Sequence, residues 1–265
     1  MYLKDFVDVL MTDDPRWEYV AHHEVFQMLY ETKAGRFVKL KDMKMRPITS
    51  RFVFTLKMKQ GTWSRGCRWT PHGCAEIPHV HYDPDEIFAS SPQLYTIRYL
   101  CAIAVSSGRK VWHMDVKRAF STTPFKDGKV VNVKLPKGYE VFDEDGDECG
   151  VEFFNSVYGL KESNSDWEHR LRAVMEKLGY KNSVQEVTVY VSRLFTILVW
   201  VDDLFCLPAI GTVDPEAVVT QLALTMEKEL GSKIVNLGVL GCSPEYRSLP
   251  GWMVLVRYSH QNPLW

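Results

Sequence analysis

Two adjacent carboxylates lie inside an apolar run of this chain, at Asp202 and Asp203 in the sequence LVWVDDLF (198–205). An ionised carboxylate is costly to remove from water without a partner, and two neighbouring carboxylates also repel each other. A third acid, Asp115, ends the apolar segment VWHMD (111–115). If the two segments are neighbouring strands, the three carboxylates converge, and cations are then needed to keep all of them ionised.

Oxygen ligands of this kind suit Mg²⁺ or Mn²⁺, which keep coordination positions for water and phosphate. Two such ions about 4 Å apart can activate an attacking oxygen and stabilise a leaving one. Asp115, Asp202 and Asp203 therefore predict a two-metal centre. The alternative is an ordinary turn, because aspartates are frequent in turns. Against it, hairpin turns prefer glycine or asparagine where φ is positive.

The elements that must position these residues follow from apolar periodicity, helix caps and turn residues. Helices are predicted at 15–32 with Asp14 as N-cap, from Ser91-Pro92 to Gly108, at 165–178 and from Asp214-Pro215 to Gly231. Strands are predicted at 51–59, 111–115, 130–135, 187–191, 194–201 and near 233–240. Asp202-Asp203 then forms the tight turn of a hairpin. Several connections are too short for crossover helices, which predicts an α+β domain with an antiparallel sheet.

Length and composition limit the class of protein. A chain of 265 residues, 46% hydrophobic, can form one large domain or two lobes. It has no run of eighteen apolar residues, and its N-terminus carries acids without a small-residue cleavage site, so neither a membrane span nor a secretory signal is predicted. The six cysteines are scattered, which is typical of reduced thiols. We therefore expect an intracellular protein, in the cytoplasm or nucleus.

The basic residues are concentrated in one segment. From Lys33 to His72 there are eleven Lys and Arg against one acid, Asp42, although the whole chain has a net charge of −1. This segment is either a solvated edge sheet protected by lysines or a surface for polyphosphate or a nucleic-acid backbone. Charge alone leaves both interpretations open.

Over roughly residues 13–242, the motifs resemble the reverse transcriptase domain of copia-type retrotransposons. The matching segments are RWEYVAHHEVFQML (16–29), FVKLKDMKMRPITSRFVFTLKMKQG (37–61), HYDPDEIFASSPQLYTIRYLCAIA (81–104), MDVKRAF (114–120), LPKGY (135–139), SVYGLKESNSDW (156–167), VWVDDL (199–204) and LTMEKELGSKIVNLGVLG (224–241). Each motif alone is weak, but their order makes a strong joint signal.

The resemblance implies a fingers-and-palm polymerase fold with a ferredoxin-like palm sheet. Residues 1–12 would be a tail, 13–242 the fingers (mainly 33–80) and palm (mainly 95–242), and 243–265 a tail or the start of a thumb. The implied activity is RNA-directed DNA synthesis on an RNA or DNA template with primer, using deoxynucleoside triphosphates. The alternative is a decayed or host-retained remnant that at most binds nucleic acid.

The resemblance also implies roles for individual residues. Two Mg²⁺ or Mn²⁺ ions would be held by Asp115, Val116, Asp202 and Asp203. The nucleotide would contact Arg68, Val116, Lys117, Phe120, Tyr158, Gly159 and Lys161. Primer and template would lie against Trp200 and Val201.

The chain departs from the family pattern at several of these places. Trp200 replaces a tyrosine, GCRWTPHGC (66–74) lacks the family's lysine and apolar pattern around Arg68, and Glu162 and Asn164 replace glutamine and proline. No RNase H segment is recognisable, which is one reason that the remnant hypothesis stays open.

Three further patterns could be metal sites or could have purely structural roles. A zinc site is conceivable at Cys67, His72, Cys74, His79 and His81, but their spacing matches no established zinc pattern. DEDGDE (143–148) has its glycine at the fourth position instead of the sixth, which favours a solvated hairpin tip over a calcium loop. His113 alternates with Asp115 and is either a packed strand histidine or a metal contact.

Overall fold

A computed structural model describes residues 6–12, 14–59 and 61–240. The chain divides into two compact units: unit 1 contains residues 1–89 and 118–170, and unit 2 contains residues 90–117 and 171–265. The predicted tail at 243–265, part of the tail at 1–12 and turn residue Gln60 lie outside the described residues. The mixture of helices and antiparallel sheets confirms the α+β class. The boundaries of fingers and palm stay a prediction.

The described part contains five α-helices and twelve strands. The helices are α1 Phe6–Leu10, α2 Arg16–Phe26, α3 Leu94–Ser106, α4 Ser163–Lys177 and α5 Pro215–Leu230. The strands are β1 Gly35–Lys39, β2 Ser50–Lys59, β3 Thr62–Pro71, β4 Trp112–Val116, β5 Val131–Val133, β6 Val141–Phe142, β7 Glu148–Phe153, β8 Lys181–Asn182, β9 Val189–Val191, β10 Phe195–Trp200, β11 Asp203–Pro208 and β12 Ile234–Val239. A π-helical turn, Gln27–Glu31, continues α2, and short 3₁₀ turns lie at Leu40–Asp42, Gly73–Ala75, Pro84–Glu86 and Lys126–Gly128.

Unit 1 contains a four-stranded antiparallel sheet and a two-stranded ribbon. β7 lies between β1 and β5 and also pairs with β6, while β2 pairs with β3 over its whole length. Helix α2 packs on β3. The core between them contains Trp17 and Ala21 of α2, Phe52 of β2, Trp69 of β3 and Phe153 of β7. Burial of these large side chains stabilises the unit through the hydrophobic effect.

The ribbon of β2 and β3 has an apolar face and a basic face. Successive side chains of a strand alternate between faces, and the register pairs Phe52 with Trp69 and Val53 with Arg68. Phe52 and Trp69 are therefore buried on the core side, whereas Arg51, Lys57 and Arg68 share the exposed side. The strand predicted at 51–59 is confirmed as Ser50–Lys59.

Unit 2 is built on a six-stranded sheet in the order β12-β4-β11-β10-β9-β8, with every neighbouring pair antiparallel. Helix α3 covers one face: its Ile97, Leu100 and Ala104 form a buried cluster with Phe205 and Leu207 of β11. Helix α5 packs against β11 and β12. The strands that carry the candidate acids, β4 and β11, are thus neighbours inside the sheet.

Most predicted helix ends are found within a few residues. The Asp214 side chain accepts the Ala217 N–H at 3.0 Å at the start of α5, and Gly231, at φ +60°, ends that helix. α3 begins at Leu94 instead of Ser91, because a residue that precedes proline disfavours the helical region and Gln93 is still extended. The sequence did not predict β1, β3, β6, β7, β8 or α1. No helix in the described ranges is both long and apolar enough to cross a bilayer.

Candidate active site

The hairpin between β10 and β11 places its two aspartates differently from the prediction. Trp200 pairs with Asp203 in the register, so the connecting residues are Val201 and Asp202, and Asp203 already belongs to β11. The prediction that Asp202 and Asp203 form the turn is therefore wrong by one residue. Val201 has φ +56°, as a type II′ turn requires at its first central residue. Because Val201 adopts the positive φ, neither aspartate has to.

The register brings the acids of two segments together. Asp115 of β4 lies directly opposite Asp203 of β11, and such Cα pairs are typically about 4.5–5.5 Å apart. The Asp202 carbonyl accepts the Val116 N–H at 2.9 Å. β4 and β11 are therefore adjacent, as the two-metal hypothesis requires. That the Asp115 and Asp202 carboxylates lie within about 6 Å of each other stays a prediction.

Both opposed carboxylates have a polar partner inside unit 2. Lys117 Nζ lies 2.9 Å from Asp115 Oδ1, and His113 Nε2 lies 2.6 Å from Asp203 Oδ1. The Asp115 side chain is 24% exposed and that of Asp203 is 40% exposed. An oxygen-only donor set that water can reach fits Mg²⁺ or Mn²⁺. Asp115, Asp202, Asp203 and the Val116 carbonyl are the groups that could hold these ions.

Three of the predicted nucleotide residues meet within unit 1. The Arg68 guanidinium lies 3.9 Å from the centre of the Tyr158 ring, a cation–π contact. Phe120 contacts the same ring edge-on, with centroids 4.6 Å apart. Phe120 is 4% exposed, so it is a core aromatic as well as a candidate sugar contact. Arg68 itself is exposed.

Gly159 is required by a close backbone approach. It has φ +105°, and a Cβ there would lie 2.5 Å from the Pro71 carbonyl oxygen. No other residue type fits both conditions without strain. The glycine of the YGLK motif therefore lets the end of β3 pack directly on this loop, which also carries Tyr158 and Lys161.

Lys161 is held by two groups of unit 1. Its Nζ lies 2.9 Å from the Tyr82 hydroxyl, and its N–H donates to Glu76 Oε2 at 2.8 Å. The hydrogen bond to Tyr82 raises the pKa of Lys161, so its ammonium stays charged. Burial raises the pKa of the Glu76 carboxyl. Tyr82 and Glu76 are supporting residues that sequence analysis missed, because neither lies near YGLK in the chain.

The acidic segment DEDGDE is the turn between β6 and β7, as its interpretation as a hairpin tip requires. Asp143, Asp145 and Asp147 carry oxygens within 4.8 Å of one another. Lys39 Nζ lies 2.6, 2.6 and 3.0 Å from these three carboxylates, and Lys41 pairs with Asp147. The Lys39 ammonium lowers the pKa of the Asp143 carboxyl. A protein cation thus already compensates this cluster.

The residues of the conceivable zinc site make other contacts. His72 Nδ1 lies 2.9 Å from the Thr49 hydroxyl, and His81 Nδ1 accepts the Ile77 N–H at 2.8 Å. Burial raises the pKa of the Cys67 thiol, which disfavours the thiolate that zinc needs. These contacts favour structural roles.

A partly buried ion pair of unit 1 contains Arg118. Arg118, at φ +56°, lies 3.2 Å from Glu24 of α2, whose other oxygen accepts the Trp69 N–H at 3.3 Å. Glu24 is 9% exposed. The pair connects two distant parts of unit 1, so no local sequence signal could have identified it.

The comparisons with known proteins agree with this geometry. The family model of reverse transcriptase (RNA-dependent DNA polymerase) matches residues 33–238. The chain is 26% identical over 192 residues, or 69% of its length, to the Retrovirus-related Pol polyprotein from transposon TNT 1-94 of Nicotiana tabacum. It is 26% and 27% identical over 160 residues, 58% of its length, to the Pol polyproteins from transposons RE2 and RE1 of Arabidopsis thaliana.

These relatives are much longer proteins. The chain spans 14% of the tobacco polyprotein, and 11% and 10% of the two Arabidopsis polyproteins. The family match covers most of the chain, including the strands that carry Asp115 and Asp203 and the turn that contains Asp202. The chain therefore belongs to the reverse transcriptase (RNA-dependent DNA polymerase) family, in the form found in Pol polyproteins of copia-type transposons.

Proposed function

We propose that this domain is an RNA-directed DNA polymerase. A primer 3′-hydroxyl oxygen attacks the α-phosphorus of a deoxynucleoside triphosphate, a phosphodiester bond forms and pyrophosphate leaves. The observation that carries the proposal is the pairing of Asp115 with Asp203 on adjacent strands, beside the turn that contains Asp202. Membership of the reverse transcriptase family supports the same reaction.

In unit 2, the proposed role of Asp115, Asp202 and Asp203 is to hold two Mg²⁺ or Mn²⁺ ions. Bound ions of this kind lower the pKa of a hydroxyl and stabilise charge on phosphate oxygens. The three residues provide fixed carboxylates at one end of two adjacent strands. Val201 holds the turn in a strained conformation, and such strain is common where a site must be rigid. Unit 2 would correspond to the palm.

In unit 1, the proposed role of the basic ribbon face is contact with phosphates of template and nucleotide. Arg51, Lys57 and Arg68 share one exposed face, and small residues such as Thr55 and Gly66 lie between them. A planar guanidinium can pair with two phosphate oxygens at once, which suits Arg68 to a triphosphate. Unit 1 would then provide the fingers.

A second candidate function is nucleic-acid binding without catalysis. The basic ribbon face favours it, since contacts with phosphate need no acidic residues. In unit 2, the Lys117 ammonium pairs with Asp115 at 2.9 Å, so this acid already has a cationic partner within the protein.

Primer extension on poly(rA)/oligo(dT) with Mg²⁺ or Mn²⁺ tests the proposal. The parent protein should extend the primer, and Asp115→Asn and Asp202→Asn should reduce extension to background. Asp214→Asn is the matched control: Asp214 caps α5 away from these acids, and asparagine is an equally good cap. If the folded parent binds the primer–template without extending it, the second candidate is correct. Equal activity in Asp115→Asn and the control would refute the proposed site.

A further inference from the structure

The histidine two residues before Asp115 is hydrogen-bonded to the aspartate on the neighbouring strand. His113 is 8% exposed, and its Nε2 lies 2.6 Å from Asp203 Oδ1. A carboxylate can only accept hydrogen bonds, so Nε2 must carry the proton and donate it. Hydrogen bonds to ionised acceptors are short and about twice as strong as neutral ones.

The direction of this donor is fixed by packing. The His113 ring stacks on Phe205, with centroids 4.9 Å apart and planes inclined by 13°. Phe205 is opposite His113 in the register, and Asp203 is two residues before Phe205 on the same face of β11. A buried, stacked imidazole therefore holds a carboxylate whose side chain is 40% exposed.

We propose that His113 is a positioning residue for the metal centre. It holds Oδ1 of Asp203, and Oδ2 of the same carboxylate then remains to bind a cation shared with Asp115, which lies opposite in the register. A carboxylate that is already oriented loses less rotamer freedom when it binds a cation. This inference rests on the proposed function, because it assumes that Asp203 and Asp115 share a divalent cation.

Two substitutions separate the hydrogen bond from the packing. His113→Phe keeps a ring that can stack on Phe205 but removes the donor. His113→Gln loses the ring but carries an amide NH₂ at about the reach of Nε2. If His113 served only to fill space, phenylalanine would be the milder change. If it positions Asp203, glutamine is the milder change.

The measurement is Mn²⁺ affinity without nucleotide or turnover, from the free-ion signal in electron paramagnetic resonance. Loss of a residue that orients a metal ligand typically weakens affinity about 10- to 100-fold. We expect that loss in His113→Phe, whereas His113→Gln should stay within about threefold of the parent. Equal Mn²⁺ affinity of His113→Phe and the parent would overturn the inference.

Asp115→Asn distinguishes failure of the inference from failure of the proposed function. If Asp115→Asn weakens Mn²⁺ binding but His113→Phe does not, only the positioning role is wrong. If the parent does not bind Mn²⁺, or Asp115→Asn binds it equally well, the metal centre itself is refuted, and the inference with it. If His113→Phe does not fold, His113→Asn replaces it, because its shorter amide does not reach the Nε2 position.

Discussion

At Val201, unlike at most positions, the glycine variant of the protein should be more stable than the alanine variant. Its φ of +56° lies in the left-handed region, which costs an L-residue about 1–2 kcal/mol. Glycine avoids that cost but loses about 0.4–1 kcal/mol through the greater freedom of the unfolded chain. The difference predicts that Val201→Gly exceeds Val201→Ala in free energy of unfolding by about 0.5–1 kcal/mol. Both variants remove the same valine methyls, so lost burial largely cancels.

The matched pair is at Val199, two residues earlier in β10. Val199 has no positive φ and pairs with Leu204 in the ladder. The free energy of unfolding of Val199→Ala should therefore exceed that of Val199→Gly by about 0.5–1 kcal/mol. Urea unfolding of all four variants, followed by circular dichroism, measures both differences. The order should invert between the two positions. If alanine is the more stable residue at both, the strained turn at Val201 is not a property of the folded protein.

Two further predictions concern unit 1. Arg68→Ala should raise the KM for the nucleotide in primer extension about tenfold or more, because a charge-assisted phosphate contact is lost. Lys57→Ala, further along the same face, should mainly weaken template binding. An unchanged KM in Arg68→Ala would exclude Arg68 from the nucleotide site. Burial raises the pKa of the Glu76 carboxyl in the folded state above its unfolded pKa of about 4.3. Between these two pKa values the native state binds more protons than the unfolded state. The free energy of unfolding therefore falls as pH rises through this range. Glu76→Gln, which keeps an acceptor for the Lys161 N–H, should therefore gain stability relative to the parent between pH 4.5 and pH 7.5 in urea unfolding, and a difference independent of pH would contradict the burial argument.

The register of the β2–β3 ribbon determines which face of the ribbon carries its basic residues. The basic excess between Lys33 and His72 left two interpretations open, because composition does not assign residues to faces. The register assigns them: apolar residues such as Phe52 face the core, and Arg51, Lys57 and Arg68 face outward. One exposed basic face is what a polyanion surface requires, and its use as such a surface stays a prediction beside the solvated edge sheet protected by lysines.

The sequence by itself determined about half of the strands, most helix ends and the family. Periodicity and caps are local: Asp214 starts α5 and Gly231 ends it through hydrogen bonds within a few residues, so their effect can be read from neighbours in the chain. The same holds for the ribbon at 51–59 and for the acids at Asp115, Asp202 and Asp203, whose residue types and order are family motifs. β7 was missed because its pairing partners, β1 and β5, lie far away in the chain and stabilise it only in the folded sheet.

The tertiary structure decided how these residues meet. Only the register of β4 with β11 shows that Asp115 faces Asp203 and that His113 reaches the same carboxylate. Only the backbone shows that Val201, and neither aspartate, takes the positive φ of the turn. A shift of one residue along a strand moves every side chain to the opposite face, so these contacts depend on long-range pairing that no local pattern specifies.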